Sequence, residues 1–200
     1  FFGLMILILF GFIFHADPSN LNKSVVVAEI FFVLLFILQI NLSRSLESEL
    51  KDRALDAMKV YSRNYSTIYL AKFSATCLLN TLVVIPIVMF ASVVFLDAAN
   101  YFQVIFWDII YIFFQIIIGV SALGSLLSLS VNESSGKEVL FPILFYPLCL
   151  PLFIIGMQNV LLLLSGNPLD SSWQVTLWSI DLIYFMLGLL LFDILLENFS

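Results

Sequence analysis

The sequence predicts an all-α polytopic membrane protein, and three observations lead to this class. Hydrophobic residues make up 62% of the 200 residues and charged residues only 11%, whereas a soluble domain carries about a quarter charged residues. The apolar residues, which include 21 Phe, form long uninterrupted stretches, and about 20 such residues cross a hydrocarbon layer of roughly 30 Å. The alternating segments of about ten residues that form transmembrane β-barrels are absent. We therefore expect a single domain of membrane-spanning helices over 1–200.

Six apolar segments separated by polar connectors define the predicted spans. They cover 1–15, 25–42, 70–96, 105–129, 139–164 and 174–196. The connectors between them are too short to hold a soluble domain. In the first segment only 14 apolar residues precede His15, and these extend about 21 Å as a helix. We expect that residues upstream of Phe1 complete this span.

The distribution of Lys and Arg predicts the orientation of the spans. Seven of the eight basic residues lie in or beside the connectors after spans two and four, and only Lys23 lies on the other side. The seven are Arg44, Lys51, Arg53, Lys59, Arg63, Lys72 and Lys137. Cytoplasmic loops carry such an excess, so we expect both termini on the cytoplasmic side, or on the matrix side of an organelle membrane. Nucleic-acid binding is excluded, because no basic surface is large enough to hold a phosphate backbone.

The connector after span two predicts a charged amphipathic helix over 45–61. Apolar residues recur there at helical spacing, and Glu47 with Lys51 and Glu49 with Arg53 form favourable i,i+4 pairs. One interpretation is a helix lying in the lipid headgroup region. The other is a docking helix for a cytoplasmic partner, which its acidic residues favour because anionic headgroups would repel them. The candidate docking residues are Leu46, Glu47, Glu49, Leu50, Asp52, Arg53, Asp56 and Met58.

Proline placement sets span five apart from the others. Pro142, Pro147 and Pro151 lie within ten residues of one another, and each removes a helix hydrogen bond. The freed backbone groups must face protein or a wet cavity in a membrane. Gly156 follows these prolines, and we expect the segment 141–164 to enter as a kinked helix and to break or re-enter near the outer face. Such a span is either a moving element or a kinked helix without a role in transport.

Small residues in span four predict close helix packing. Ser121 with Ser125 and Gly124 with Ser128 form small-xxx-small pairs, which let two helix backbones approach. The contact lies either within the protomer or across a homodimer.

Three ionisable residues lie inside predicted spans, where such residues are functional candidates. Glu29 and Asp108 are near the outer boundary, so they either reach the interface or pair with each other or with Lys23. Asp181 is two turns into span six and is the one candidate for a proton relay near mid-membrane.

The sequence contains no catalytic or metal-binding motif. Ser134–Lys137 lacks the upstream Gly of a phosphate-binding loop, so any nucleotide must bind another chain. Cys77 and Cys149 lie in separate apolar segments and act as small apolar residues. His15, the one histidine, is an interfacial residue or a weak candidate for axial haem ligation.

Five segments together resemble the haem exporter protein B family (CcmB), a permease family of the ABC-2 exporter type. The acidic run Ser43–Asp52 and its continuation Ala54–Met58 match the family's acidic cytoplasmic helix, and Tyr69–Lys72 matches the "LAK" that opens the next span. Leu140–Ile154 is similar to the family's proline-bearing segment, and Gly119–Leu129 to the Gly-containing run before it. The chain departs from the family pattern at two places, around Arg53-Ala54 and at Arg63–Thr67.

The resemblance implies a permease subunit, not an enzyme, in a complex for cytochrome c maturation. Its implied partners are a CcmA-like ATPase that binds ATP, CcmC-like and CcmD-like membrane proteins, and a CcmE-like haem chaperone. The chain itself would bind no cofactor, and haem would be its cargo or be handled by its neighbours. The membrane is the bacterial inner membrane or an organelle membrane of bacterial origin.

The resemblance also implies that the 46–61 helix is the coupling helix seated in the ATPase. Our mechanistic hypothesis is that ATP-driven closure moves this helix and shifts spans two and three as a unit, and that the kinked fifth span transmits the change to the periplasmic face. The alternatives are another ABC-2 exporter for a lipid-linked or polysaccharide substrate, an ion-driven secondary transporter, or a structural subunit.

Overall fold

The computed structural model describes residues 5–6, 8–9, 23–51, 65–95, 102–130 and 137–198. Apart from residues 5–6 and 8–9, this part of the chain forms five long helices and no strand: α1 (Lys23–Lys51), α2 (Tyr65–Phe95), α3 (Phe102–Ser130), α4 (Lys137–Leu164) and α5 (Ser171–Asn198). Each is long and apolar enough to cross a membrane. The all-α membrane class is therefore confirmed, with helices at predicted spans two to six. Of the predicted first span only residues 5–6 and 8–9 are described, and they are helical; a total of six spans stays a prediction.

The first long helix corrects the predicted boundary between span two and its charged connector. The apolar stretch of α1 covers Ser24–Ser45, but the helix continues without interruption to Lys51. No Gly or Pro stands between Ser45 and Lys51 that would end it. Span two and the beginning of the predicted amphipathic helix therefore form one rod, which extends about 9 Å past the apolar stretch.

α3 is the central helix of the bundle. Its apolar stretch is 78% buried, against 22% to 44% for the other four helices. It contacts α1, α2, α4 and α5, and these four contact each other in the closed order α1, α2, α5, α4. Four helices therefore form a ring around α3.

Contacts along the helices show their relative directions. Leu42 of α1 lies beside Gly124 of α3, and Phe31 beside Phe113, so residue numbers increase together and the two helices run parallel. Tyr111 of α3 contacts Trp178 of α5, and Gly119 lies beside Asp181, so these two helices also run parallel. α2 and α4 run the opposite way. The bundle consequently has two ends. At the Lys51 end α1 ends and α2 begins, and at the 165–170 end a turn joins α4 to α5.

Close helix approach at small residues confirms the packing predicted for α3 and places it within the protomer. A side chain at Gly124 would lie 2.6 Å from Leu42 Cδ2 of α1. A side chain at Gly119 would overlap Asp181 of α5 and Leu152 of α4. Because lipid is as apolar as a leucine side chain, such backbone proximity and the dispersion contacts it permits hold membrane helices together.

The predicted break in span five is wrong, because α4 is one continuous helix of 28 residues with all three prolines inside it. Each proline removes only the bond to the carbonyl four residues before it, that is, to Glu138, Ile143 or Pro147, and the other turns keep their bonds. A neighbouring helix adds one bond in this region: the Tyr184 hydroxyl of α5 donates a 2.6 Å hydrogen bond to the carbonyl oxygen of Leu148. Prolines are tolerated in membrane helices that pack against neighbours, and α4 contacts α1, α3 and α5.

The turn between α4 and α5 is defined by backbone caps at both sides. Gly166 adopts a φ of 80°, and the amides of Gly166 and Asn167 donate to the carbonyls of Leu163 and Leu162. These are the two bonds of a Schellman cap, whose left-handed residue favours glycine. Asp170 Oδ1 then accepts the amide of Ser172 at 2.9 Å and caps the start of α5.

Candidate functional site

The predicted docking residues begin at the Lys51 end of α1. Residues 46–51 continue the helix, so the backbone at Leu46, Glu47, Glu49 and Leu50 belongs to the same rod as the membrane span. The other docking residues, Asp52, Arg53, Asp56 and Met58, lie outside the described residues, as does most of the predicted 45–61 helix. The docking helix itself stays a prediction.

A hydrogen-bonded network lies inside the bundle beside this end and joins three helices. Asn41 Nδ2 of α1 donates to Asn80 Oδ1 of α2 at 2.7 Å. Asn80 Nδ2 donates in turn to Ser121 Oγ of α3 at 3.1 Å. One turn away, the hydroxyls of Thr76 and Ser125 lie 3.2 Å apart. Asn80, Ser121 and Ser125 are fully buried, and these five residues are called here the α1–α2–α3 network.

Tyr69, in the Tyr69–Lys72 motif, fixes the beginning of α2 against α3 and α5. Its side chain is fully buried, and its hydroxyl donates to the carbonyl of Ala122 at 3.4 Å. Its ring packs against Phe185 of α5 with centroids 5.9 Å apart. No Cβ fits at Gly188, because it would overlap the phenol of Tyr69. The residues that follow the docking segment are therefore in direct contact with α5.

The other side of α3 carries buried polar groups of a different kind. Asp181 of α5 is 2% exposed, and Gln115 of α3 and Asn159 of α4 are fully buried. Both carboxylate oxygens of Asp181, both amide atoms of Gln115 and Asn159 Oδ1 have no hydrogen-bond partner among the described residues. The same holds for both amide atoms of Gln174. Gln115, Asn159, Gln174 and Asp181 are called here the α3–α4–α5 seam.

The remaining predicted residues are dispersed. Pro147 and Pro151 are exposed on the outer side of α4 and Pro142 is half-buried, whereas Gly156 faces Ile116 of α3. Among the charged candidates, Glu29 is half-buried and its Oε1 has no partner within the described part of the chain. His15 lies outside the described residues.

The cysteines behave as the sequence indicates. Cys149 is fully buried in the apolar core, and Cys77 is half-buried; neither forms a disulfide. Across the described ranges no three His, Cys, Asp or Glu side chains group as metal ligands do.

Sequence reasoning missed the amide residues of both polar regions. Asn41, Asn80, Gln115 and Asn159 are amide side chains inside apolar segments, and an amide inside a membrane helix is itself a signal of interhelical bonding. Their partners could not be identified without the register between helices.

A comparison with models of protein families decides which family the chain belongs to. The family model described as CcmB protein matches residues 1–192. The chain belongs to the CcmB family. No curated protein and no solved structure matches it.

Membership in the CcmB family makes the chain a membrane permease subunit associated with haem transport and cytochrome c biogenesis, and not itself an enzyme. CcmB proteins act together with an ABC ATPase and other cytochrome c maturation components. The five long apolar helices agree with an integral membrane protein.

Proposed function

We propose that this CcmB protein couples ATP hydrolysis by a CcmA-like ATPase to haem export, or to release of the haem-loaded chaperone, at the periplasmic face. The observation that carries the proposal is the continuity of α1 from the membrane to Lys51, together with the Asn41–Asn80 bond that ties α1 to α2. A force applied to the acidic segment after Ser45 reaches the bundle through a helix, which is stiff, and not through a loop.

The α1–α2–α3 network supports movement of spans two and three as a unit. Asn80 is bonded on both sides, to Asn41 and to Ser121, so sliding α1 past α2 would leave buried amides without partners. That outcome is costly where no water is present. The network therefore favours a rigid-body shift that includes α3.

Family membership favours cytochrome c maturation over the other transport classes. The proposed partners are the CcmA-like ATPase, CcmC-like and CcmD-like membrane proteins and a CcmE-like chaperone, in the bacterial inner membrane or an organelle membrane of bacterial origin. Haem is the proposed cargo of the complex. His15 remains the weak candidate for contact with it.

Charge reversal tests the docking segment. The variant replaces Glu47, Glu49, Asp52 and Asp56 by Lys, and we expect it to lose co-purification of the ATPase and complex-dependent ATP hydrolysis. Asn167→Lys is the control, because Asn167 is exposed at the opposite end of the bundle and caps α4 through its backbone amide, which the substitution keeps. Normal retention and activity of the ATPase in the fourfold variant would contradict docking at this segment.

Purification of the native complex tests the biological process. We expect haem-maturation proteins to be recovered with the chain. Recovery of sugar-polymer synthesis enzymes without any of them would overturn the assignment to cytochrome c maturation.

A short cross-link tests movement as a unit. Asn41→Cys with Asn80→Cys, in a background lacking Cys77 and Cys149, is oxidised to a disulfide with molecular iodine, which is small and enters apolar regions, because Asn80 is fully buried. Because the two positions move together in the proposal, we expect the disulfide-linked complex to keep its ATP-dependent activity, equal to that of the same variant before oxidation. Loss of activity only on cross-linking would show that α1 and α2 must separate.

A further inference from the structure

Unpaired buried polar atoms concentrate in one interface of the bundle. Among the described residues, every such atom except Glu29 Oε1 belongs to Gln115, Asn159, Gln174 or Asp181, the four members of the α3–α4–α5 seam. The α1–α2–α3 network on the opposite side of α3 shows that this bundle satisfies buried amides where helices stay together, since Asn80 is bonded through both its amide atoms. Among the described residues, the buried polar groups of the seam therefore lack partners on other helices, whereas those of the network are bonded between helices.

The register of the helices places the four residues in one column. Asp181 lies at the level of Gly119 and Leu152, because a side chain at Gly119 would overlap both. Gln115 is one turn from Gly119, and Asn159 and Gln174 are each two turns from Leu152 and Asp181. All three residues are displaced toward the 165–170 end, so the column runs along α5 for about 10 Å from Gln174 to Asp181.

Water is the partner that these groups lack. The column contains amide donors, amide acceptors and a carboxyl group, a mixture that water satisfies and that a hydrocarbon surrounding does not. At the level of Asp181 the three helices are in contact, as the overlap at Gly119 shows. Water therefore reaches Asp181 only when the helices part.

The first turns of α5 are best placed to part from the other helices, although α5 as a whole has an extensive interface with α3. α5 is the least buried of the five helices, at 22%. Among the described side chains, its hydrogen bonds to other helices come from Trp178, which donates to Tyr111 at 3.0 Å, and from Tyr184, which donates to Leu148. From Ser171 to Leu177 the bonds that are present stay within α5 and its cap. The first two turns are thus held by packing alone.

We propose that α5 separates from α3 and α4 between Ser171 and Asp181, which releases the exposed Trp178–Tyr111 bond, and opens a water-filled crevice that leads from Gln174 to Asp181. Opening hydrates the seam and exposes the Asp181 carboxyl to water at the 165–170 end. The crevice is independent of the cargo that the complex handles, so its test stands apart from the test of the proposed function.

Substituted cysteines test the crevice in the purified complex in lipid nanodiscs. Gln115→Cys and Asn159→Cys are made in a background lacking Cys77 and Cys149 and are treated with a charged, water-soluble methanethiosulfonate. Such reagents attack the thiolate, which forms only where water reaches the sulfur. We expect both to react at least about tenfold faster than two controls: Ile183→Cys, which faces lipid, and Leu123→Cys, which is buried on α3 away from the seam.

Carboxyl labelling tests the unsubstituted protein and decides the matter if a cysteine variant does not assemble. A water-soluble carbodiimide with glycine ethyl ester is applied to the complex, and the modified residues are identified by mass spectrometry. We expect modification at Asp181, slower than at the exposed Asp170. Equal reactivity of the seam and control cysteines would overturn the proposal. Modification of Asp170 without Asp181 by the water-soluble reagent would also overturn it, even if a lipid-soluble carbodiimide labels Asp181.

Discussion

Replacement of Asn80 by Leu removes the centre of the α1–α2–α3 network while keeping the size of the side chain. The variant loses the 2.7 Å bond from Asn41 and the 3.1 Å bond to Ser121. Hydrogen bonds between membrane helices contribute about 0.6 kcal/mol each on average, up to about 1.7, so two contribute about 1 to 2 kcal/mol. Leaving the Asn41 amide without its partner adds about 1 kcal/mol. We expect a loss of about 2 kcal/mol, or roughly thirtyfold in the unfolding equilibrium constant.

Asn159→Leu is the matched control for this substitution. Asn159 is equally buried, but its Nδ2 donates only to the Ile155 carbonyl of its own helix at 3.1 Å, and its Oδ1 has no partner among the described residues. Removing an unsatisfied buried polar group is neutral or stabilising. We therefore expect Asn159→Leu to leave stability unchanged or to raise it.

Equilibrium unfolding in mixed micelles measures both variants. The purified chain in a mild detergent is titrated with sodium dodecyl sulfate, and the loss of helical packing is followed by tryptophan fluorescence. The two asparagines have the same chemistry and the same burial, so the difference between them isolates cross-helix bonding. Equal destabilisation by the two substitutions, or a larger effect at Asn159, would refute the reasoning.

Three further substitutions test individual contacts through the same unfolding measurement. Gly188→Ala places a Cβ against the phenol of Tyr69 and should cost about 1 to 3 kcal/mol; Tyr69→Ala should suppress that added cost, and additive losses would contradict the overlap. Tyr184→Phe deletes the 2.6 Å bond to the Leu148 carbonyl and should cost about 0.5 to 1.5 kcal/mol; an unchanged midpoint would show that this carbonyl needs no donor. Gly166→Ala forces an L side chain into a φ of 80° and should cost about 1 kcal/mol, whereas a stabilised variant would show that the Schellman cap is dispensable.

Membrane-spanning helices were predictable because their cause is local. An apolar run long enough to cross the hydrocarbon layer must pair its backbone groups internally, and it does so as a helix. The end of α1 was harder to predict, since charge at Arg44 marks the edge of the apolar stretch but not the end of the helix. Helix continuation depends on the absence of Gly and Pro between Ser45 and Lys51, which is a separate criterion from hydropathy.

Span five shows how tertiary contacts override a local rule. Three prolines predict a break from the hydrogen bonds that they remove, but α4 is continuous. α4 contacts α1, α3 and α5, and packing among helices lets a membrane helix continue past a proline. No property of the sequence around Pro147 and Pro151 indicates those neighbours.

In the candidate site, too, some features are predictable from the sequence and others depend on how the helices pack. Charge patterning predicts that Glu47 and Glu49 are docking residues, which stays a prediction, and the sequence alone marks Asp181 as the one ionisable candidate near mid-membrane. Its place opposite Gly119 and its lack of a partner depend on how α3, α4 and α5 pack. The contrast between a satisfied and an unsatisfied interface could not be derived from any single helix.

The two proposals meet at the beginning of α2. Tyr69 lies a few residues past the docking connector and packs against Gly188 and Phe185 near the Lys51 end of α5. The crevice opens at the other end of that helix, so a push on α5 at Gly188 turns it about its contacts rather than sliding it. Tyr184, bonded to Leu148, lies between the pushed end and Asp181 and fits the position of a pivot. A rigid α1–α2–α3 unit moved at its acidic end would therefore act on α5 through Tyr69, and the unsatisfied seam is the interface that such a rotation opens.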